Sequence, residues 1–192
     1  RIMRRIVLLL MAALMAAETP RPFVLADLGT NGELALLDAE DRLYLVSVPL
    51  GPALEGIGPE CGLQAGPESI TEFRLSPQGL VGSSSLARTP APRFEGISAT
   101  GYLSLLSLLR QTGLMDAEGH FTPDSATMPL ARRLAGDLTR RHGHPCLRLP
   151  YGLYLTAQDV EELLKVKAAF SLALHSLLAA ASLPPAGLAC LC

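Results

Sequence analysis

Asp27 ends the apolar run Phe23-Val24-Leu25-Ala26 and is followed at once by Leu28-Gly29-Thr30-Asn31-Gly32-Glu33, then by a second apolar run, Leu34-Ala35-Leu36-Leu37. A carboxylate succeeded by small residues and a hydroxyl suits a metal-bound phosphate. Backbone amides and the Thr30 hydroxyl hold oxygens, while Asp27 faces the cation or its waters. The two apolar runs read as the arms of a hairpin turning at 30–32, because Asn-Gly tolerates the positive φ angles of tight turns. The same seven residues also describe an ordinary hairpin whose Asp and Asn only bond the turn.

Three further groups carry candidate chemistry. Gly51-Pro52-Ala53-Leu54-Glu55-Gly56 lies in a glycine- and proline-dense stretch, 49–67, where either backbone approaches a ligand or the glycines only turn the chain, and Glu55 is its one charged residue before Glu60. Gly96-Ile97-Ser98-Ala99-Thr100-Gly101 introduces an apolar helix, so its amides form either an anion site or a simple helix start. His142-Gly143-His144 has no third ligand nearby in sequence and reads as a solvated loop. Cys61, Cys146, Cys190 and Cys192 lack the spacing of a zinc or ferredoxin site and point to free thiols in a reduced compartment. Cys190-x-Cys192 is readable as a metal or redox pair, but its place in an apolar tail makes two ordinary thiols the preferred reading.

The elements that must position these residues follow from period and punctuation. Strands are expected at 22–27, 33–37 and 42–48 as a meander, with 38–41 as its second turn, then a short helix near 52–57 and a strand over 69–75 closed by a turn at 76–79. Residues 82–93 read as an exposed connection. A helix over 99–112 carries leucines at 103, 106 and 109 and at 105 and 108, and Gly113 closes it. After a short strand at 153–155, Thr156 and Asp159 form a capping box in its acidic form. The helix they start runs to about 181, ahead of Pro184-Pro185. Arg1, Arg4 and Arg5 before an apolar run to Ala17 fit a signal peptide or a buried helix, and the helix is the preferred reading.

With 192 residues, 49% hydrophobic and 18% charged, the chain can bury a sizeable core and is expected to form a single domain. A net charge of −2 gives no electrostatic reason to expect nucleic acid or an anionic membrane as partner. No Gly-x-x-x-x-Gly-Lys loop and no Gly-x-Ser-x-Gly elbow is present.

The stretch from Asp27 to Glu33 resembles the second phosphate motif of the superfamily containing acetate and sugar kinases, heat-shock chaperone ATPases and actin. Within it, the chain is most similar to the reductive activators of corrinoid proteins. Besides that motif, the stretches beginning at Gly51 and Gly96, and Thr156-Ala157-Gln158-Asp159-Val160 leading to Val166-Lys167-Ala168-Ala169, occur in the family's order. The resemblance implies an α/β, ribonuclease-H-like half-domain of the actin-like ATPases, with a mixed sheet whose antiparallel three-strand meander is flanked by helices. Residues 1–192 would be the C-terminal lobe, excised from a longer chain.

It further implies ATP and Mg²⁺ as ligands. Asp27 would face the metal and act with Glu55, while Gly29, Thr30, Asn31, Gly32, Glu33, Gly51, Gly56, Gly96 and Gly101 would contact the nucleotide. A [2Fe-2S] cluster would lie in the N-terminal region of the parent, and the partner would be the corrinoid protein of a methyltransferase system in the cytoplasm. A homodimer is an open alternative. Where the family usually has a Cys and two Gly residues, this chain has Ser98, Ala99 and Thr100, which leaves room for a non-catalytic docking or dimerisation domain of the same fold. A sugar or acid kinase finds no recognisable sugar-binding residues.

Overall fold

A computed structural model describes residues 19–87, 93–126 and 128–192. The expected helix at 2–17 lies outside the described residues, as do 88–92 of the expected connection.

Phe23–Leu28 (β1), Asn31–Leu37 (β2) and Leu43–Pro49 (β3) form the expected meander. Its second turn is built by Asp38, whose carboxylate accepts from the Glu40 and Arg42 amides at 3.0 and 2.8 Å and from Arg42 Nε at 2.7 Å. Asp41 can then take its left-handed φ of 64° without leaving the preceding amides unpaired. A 3₁₀ turn, Pro52–Glu55, stands where a short helix was expected.

The strand expected over 69–75 is two strands in different sheets. Ser69–Ile70 (β4) is fully buried, while Glu72–Ser76 (β5) pairs antiparallel with Gly79–Ser83 (β6) across the 76–79 turn. Gly96–Ile97 (β7) runs parallel to β4. Ala99–Gln111 (α1) buries Gly101, Tyr102, Leu105 and Leu109, so its inner stripe lies a little off the expected leucines and Leu103 is half exposed. The chain between 114 and 150, for which no elements were expected, contains Pro129–Ala135 (α2) and the hairpin Leu138–Arg141 (β8) with His144–Arg148 (β9). Tyr154–Thr156 (β10) pairs with β9 and leads into Ala157–Ala180 (α3). Cys190–Leu191 (β11) returns to lie parallel to β1.

Contacts divide the chain into two compact units, one comprising the chain up to Gly51 with Val166–Cys192, the other Pro52–Lys165. The first holds the mixed sheet β11-β1-β2-β3. On one face, Val24, Leu34 and Leu36 pack against Ala173, Leu177 and Leu178 of α3, with Tyr44, Val46 and Val48 at the margin. The opposite face is Phe23, Leu25, Ala35 and Leu37, with Cys190 against them. Because β1 and β2 are apolar on both faces, they read as near-continuous hydrophobic runs. Each buried leucine contributes roughly 2 kcal/mol. By length and composition α3 would suffice to cross a membrane, and 28% of its apolar stretch is buried.

The second unit holds the sheet β10-β9-β8, the β4-β7 pair and the β5-β6 hairpin. Ser104 of α1 ties to β5, its hydroxyl lying 3.0 Å from the Phe73 amide and 3.2 Å from the Phe73 carbonyl.

Candidate functional site

Alternation along β1 puts Phe23, Leu25 and Asp27 on one face, and β2 adds Glu33, Ala35 and Leu37 to it. Asp27 stands directly opposite Glu33, and Ser47 of β3 opposite Glu33 on the other side, its hydroxyl donating to Glu33 Oε1 at 3.3 Å. A row Asp27, Glu33, Ser47 therefore crosses the sheet where its apolar face ends. Like charges directly opposed on neighbouring strands are destabilising. Among the described residues the Asp27 carboxylate makes no hydrogen bond or ion pair that would relieve this. Two half-buried carboxylates held side by side with one unpartnered are a donor set suited to a hard cation.

The turn differs from expectation. It is made at Gly29-Thr30, with the Gly29 amide donating to the Asn31 carbonyl at 3.1 Å and Leu28 already paired with Gly32. None of Gly29, Asn31 and Gly32 has a left-handed φ. Gly32 is required by packing instead: a Cβ there would lie 2.8 Å from Leu50 Cδ1 and 3.2 Å from Val48 Cγ1. The Thr30 carbonyl accepts from the Leu50 and Gly51 amides at 2.9 and 3.0 Å, fastening the tip to the segment after β3. Gly51, at φ 80°, makes the bend this needs. Asp27, Gly29, Thr30, Asn31, Gly32, Glu33 and Gly51 are thus brought together in the first unit. The Thr30 and Asn31 side chains are exposed at the tip, and the Gly29 amide is spent within the turn.

Glu55, Gly56, Gly96 and Gly101 belong to the second unit. There the glycines are spaces filled by protein. A Cβ at Gly56 would strike the Leu63 backbone at 2.4 Å, one at Gly96 would meet Leu63 Cβ at 2.5 Å, and one at Gly101 would meet Ile70 O at 2.2 Å. Ser98 is the N-cap of α1: it accepts from the Gly101 amide at 3.3 Å and lies 3.0 Å from both Ile70 O and Thr100 Oγ1. Of the two readings of this stretch, the helix start describes its bonding. Glu55 is half-buried at the end of the 3₁₀ turn.

Sequence reasoning missed how the 49–67 loop is held. Asp159 accepts from the Thr156 amide through Oδ2 at 2.9 Å and gives back its own amide to Thr156 Oγ1 at 3.1 Å, the expected capping box. Its other oxygen accepts from the Glu60 amide at 2.8 Å, so the helix cap also anchors the loop. Glu60 in turn accepts from Arg141 Nε at 2.7 Å, and the Arg141 guanidinium lies 4.6 Å over the Tyr154 ring. Glu60, Arg141, Thr156 and Asp159 border a cleft of about 300 Å³ that His142, His144 and Glu162 also line. Both histidines are exposed at the β8–β9 turn, as expected, and no group of three metal-ligating side chains exists among the described residues. Only the capping signal, Thr156-x-x-Asp159, was available in sequence to find this network.

Residues 21–191 match the profile of a family described as the C-terminal domain of RACo, the ASKHA domain. The chain belongs to this family. The RACo C-terminal domain has the actin-like, ribonuclease-H-like ATPase fold, which accounts for a mixed sheet opened by an antiparallel meander. The match extends over residues of both units. Among curated relatives, corrinoid activation enzyme RamQ of Eubacterium limosum is 31% identical over 116 residues, 59% of this chain and 19% of its own length. A [Co(II) methylated amine-specific corrinoid protein] reductase of Methanosarcina barkeri is 40% identical over 60 residues, 31% of this chain and 11% of its own. A solved structure titled reductive activator for corrinoid, iron–sulfur protein superposes with a TM-score of 0.73 at 22% identity, covering 91% of this chain and 27% of that one. The chain therefore spans about a fifth or less of the curated relatives it matches.

Proposed function

We propose that this RACo C-terminal domain is the nucleotide-holding lobe of a protein that uses ATP hydrolysis to reactivate a corrinoid protein reductively, working within a longer chain that carries the iron–sulfur cluster. The observation that carries this reading is the Asp27–Glu33 pair on the family's phosphate hairpin: a carboxylate without a partner among the described residues, opposed by a second, fits a site completed by Mg²⁺. Asp27 and Glu33 would hold the cation or its waters, and the Thr30 hydroxyl at the exposed tip would bond phosphate oxygens. When bound, Mg²⁺ supplies charge neutralisation at the phosphates. The chain's own contribution is positioning. Gly32 lets Leu50 and Val48 close under the hairpin, and the Thr30 carbonyl pins the tip, so the donors keep their spacing without reorganising. A reduced, cytoplasmic setting and a corrinoid-protein partner go with this reading.

A second reading, a docking or dimerisation domain of the same fold that no longer turns over nucleotide, draws on one observation. The Gly101 amide and the Ser98 hydroxyl are engaged with each other, and the space beside Gly96 and Gly101 is filled.

Asp27→Asn in the full-length parent separates the two. The substitution keeps shape and turn bonding but removes the charge. The expected outcome is a fall in Mg-ATP hydrolysis on the order of a hundredfold with an unchanged melting temperature. Near-normal turnover in a folded variant would remove Asp27 from the site, whereas a full-length parent that itself releases no phosphate from Mg-ATP would favour the docking reading.

A further inference from the structure

Cys190 lies on the last strand and Cys192 one residue past it, where its backbone bonds to Val24 and Ala26 keep the chain extended and so put the two side chains on the same side. Their sulfurs are 3.3 Å apart. Two residues along a strand separate α-carbons by about 6.6 Å, within the roughly 4.4–6.8 Å that a disulfide bridges. The pairing with β1 holds this arrangement. Phe23 faces Cys190, the Cys192 amide donates to the Val24 carbonyl at 2.8 Å, and the Ala26 amide donates to the Cys192 carbonyl at 2.9 Å. Cys190 is half-buried against Phe23, Leu25, Ala35 and Leu37, whereas Cys192 is exposed. Cys61 lies half-buried beside the Tyr154 amide and Cys146 is fully buried, both in the second unit.

We infer that Cys190 and Cys192 form an oxidisable dithiol that closes to an intrachain disulfide with a peroxide as the two-electron oxidant. The exposed Cys192 sulfur attacks a peroxide oxygen and the O–O bond breaks, giving a sulfenic acid and one water. The Cys190 sulfur then attacks the Cys192 sulfur, the S–O bond breaks, a second water leaves and the S–S bond forms. Two thiols lose two electrons and two protons, and one hydrogen peroxide becomes two waters. The accessible sulfur meets the oxidant and the sheltered one resolves it, so the reaction stops before the irreversible sulfinic stage. The hydrogen bond with Cys190 pushes the Cys192 thiol up. Since the thiolate is the nucleophile, closure quickens as pH rises.

The chain supplies its own assay, because no Lys or Arg follows Lys167. Trypsin thus releases residues 168–192 as one peptide containing Cys190 and Cys192 and no other cysteine. The 192-residue protein is treated with hydrogen peroxide, alkylated, digested and weighed. The expected result is a peptide lighter by two hydrogens and closed to alkylation, returning to a doubly alkylated peptide after dithiothreitol. Cys192→Ser, an exposed change that leaves the core untouched, should abolish the product while the melting temperature stays at the parent value. The inference is overturned if the peroxide-treated peptide remains doubly alkylated, if it is found linked to a second chain, or if it gains oxygens that dithiothreitol does not remove.

Discussion

At the scale of single residues, two carboxylates show how environment divides one chemistry into two duties. Asp27 lacks a partner among the described residues, whereas Asp38 is enclosed in its own turn. Burial pulls the Asp38 carboxyl upward, but the Arg42 amide and guanidinium and the Glu40 amide outweigh it and hold the pKa below the ordinary carboxylate value. A depressed folded-state pKa contributes stability that is present above the unfolded value, near 3.9, and lost as pH falls through the folded one. Asp38→Asn should therefore melt below the parent at pH 7, and the difference should shrink as both are melted at successively lower pH below about 4. A gap that does not change with pH would assign the loss to shape instead of charge. The Asp27 motif was legible as residue types in order, because a carboxylate beside small residues and a hydroxyl is a local pattern. The reason for Gly32 was not legible: its neighbours Val48 and Leu50 come from the end of β3 and the residue just past it, and a glycine needed for close approach looks the same in sequence as one needed for a turn.

At the scale of elements, α1 and α3 end in the same way with different residues. In α1 the Leu114 amide donates to Leu109 O and the Gly113 amide to Arg110 O. In α3 the Leu183 amide donates to Leu178 O and the Ser182 amide to Ala179 O. Both are Schellman closures, and both need a left-handed residue one position past the cap. Gly113 takes φ 75° freely, but Ser182 takes φ 53° with a side chain that this region disfavours. Ser182→Gly should consequently stabilise by about 0.5–1 kcal/mol. For a chain of this size that raises the thermal midpoint by roughly 1–4 °C. Calorimetry showing a lower midpoint would mean the serine is held by something other than its backbone. The helices with clear caps, 99–111 and 157–180, were legible within a residue or two, since Ser98, Gly113, Thr156 and Asp159 are punctuation that acts locally. The β8–β9 hairpin and the split of 69–76 into β4 and β5 were not. Leu138-Thr139-Arg140-Arg141 has no apolar alternation, and Thr71 marks a change of sheet only because Ser83 and Ile97 lie where they do.

At the scale of the whole molecule, the family and its fold could be read from four short stretches, yet what the chain does alone is a separate matter. It spans 19% of a relative named as a corrinoid activation enzyme. If the domain is one lobe of the proposed nucleotide cleft, phosphates held by it alone stay open to water, where charge-stabilising donors act weakly. Purified alone, the 192-residue chain should release no phosphate from Mg-ATP above buffer controls. Turnover that co-purifies with it and is lost in Asp27→Asn would show that this lobe completes a site by itself.

The parallel pairing of β11 with β1 also has a bearing on synthesis. The unit Pro52–Lys165 is one uninterrupted run and is fully made while its partner is still partial. The outer edge of β1 waits for Cys190 and Leu191 to reach it, and until then presents open amides and carbonyls flanked by fully buried-type side chains. At the pace of a ribosome, about 5–20 residues per second, the more than 150 residues between these strands leave that edge uncovered for many seconds. The strand that bears the candidate site thus gains its last sheet neighbour only when synthesis reaches Cys190 and Leu191.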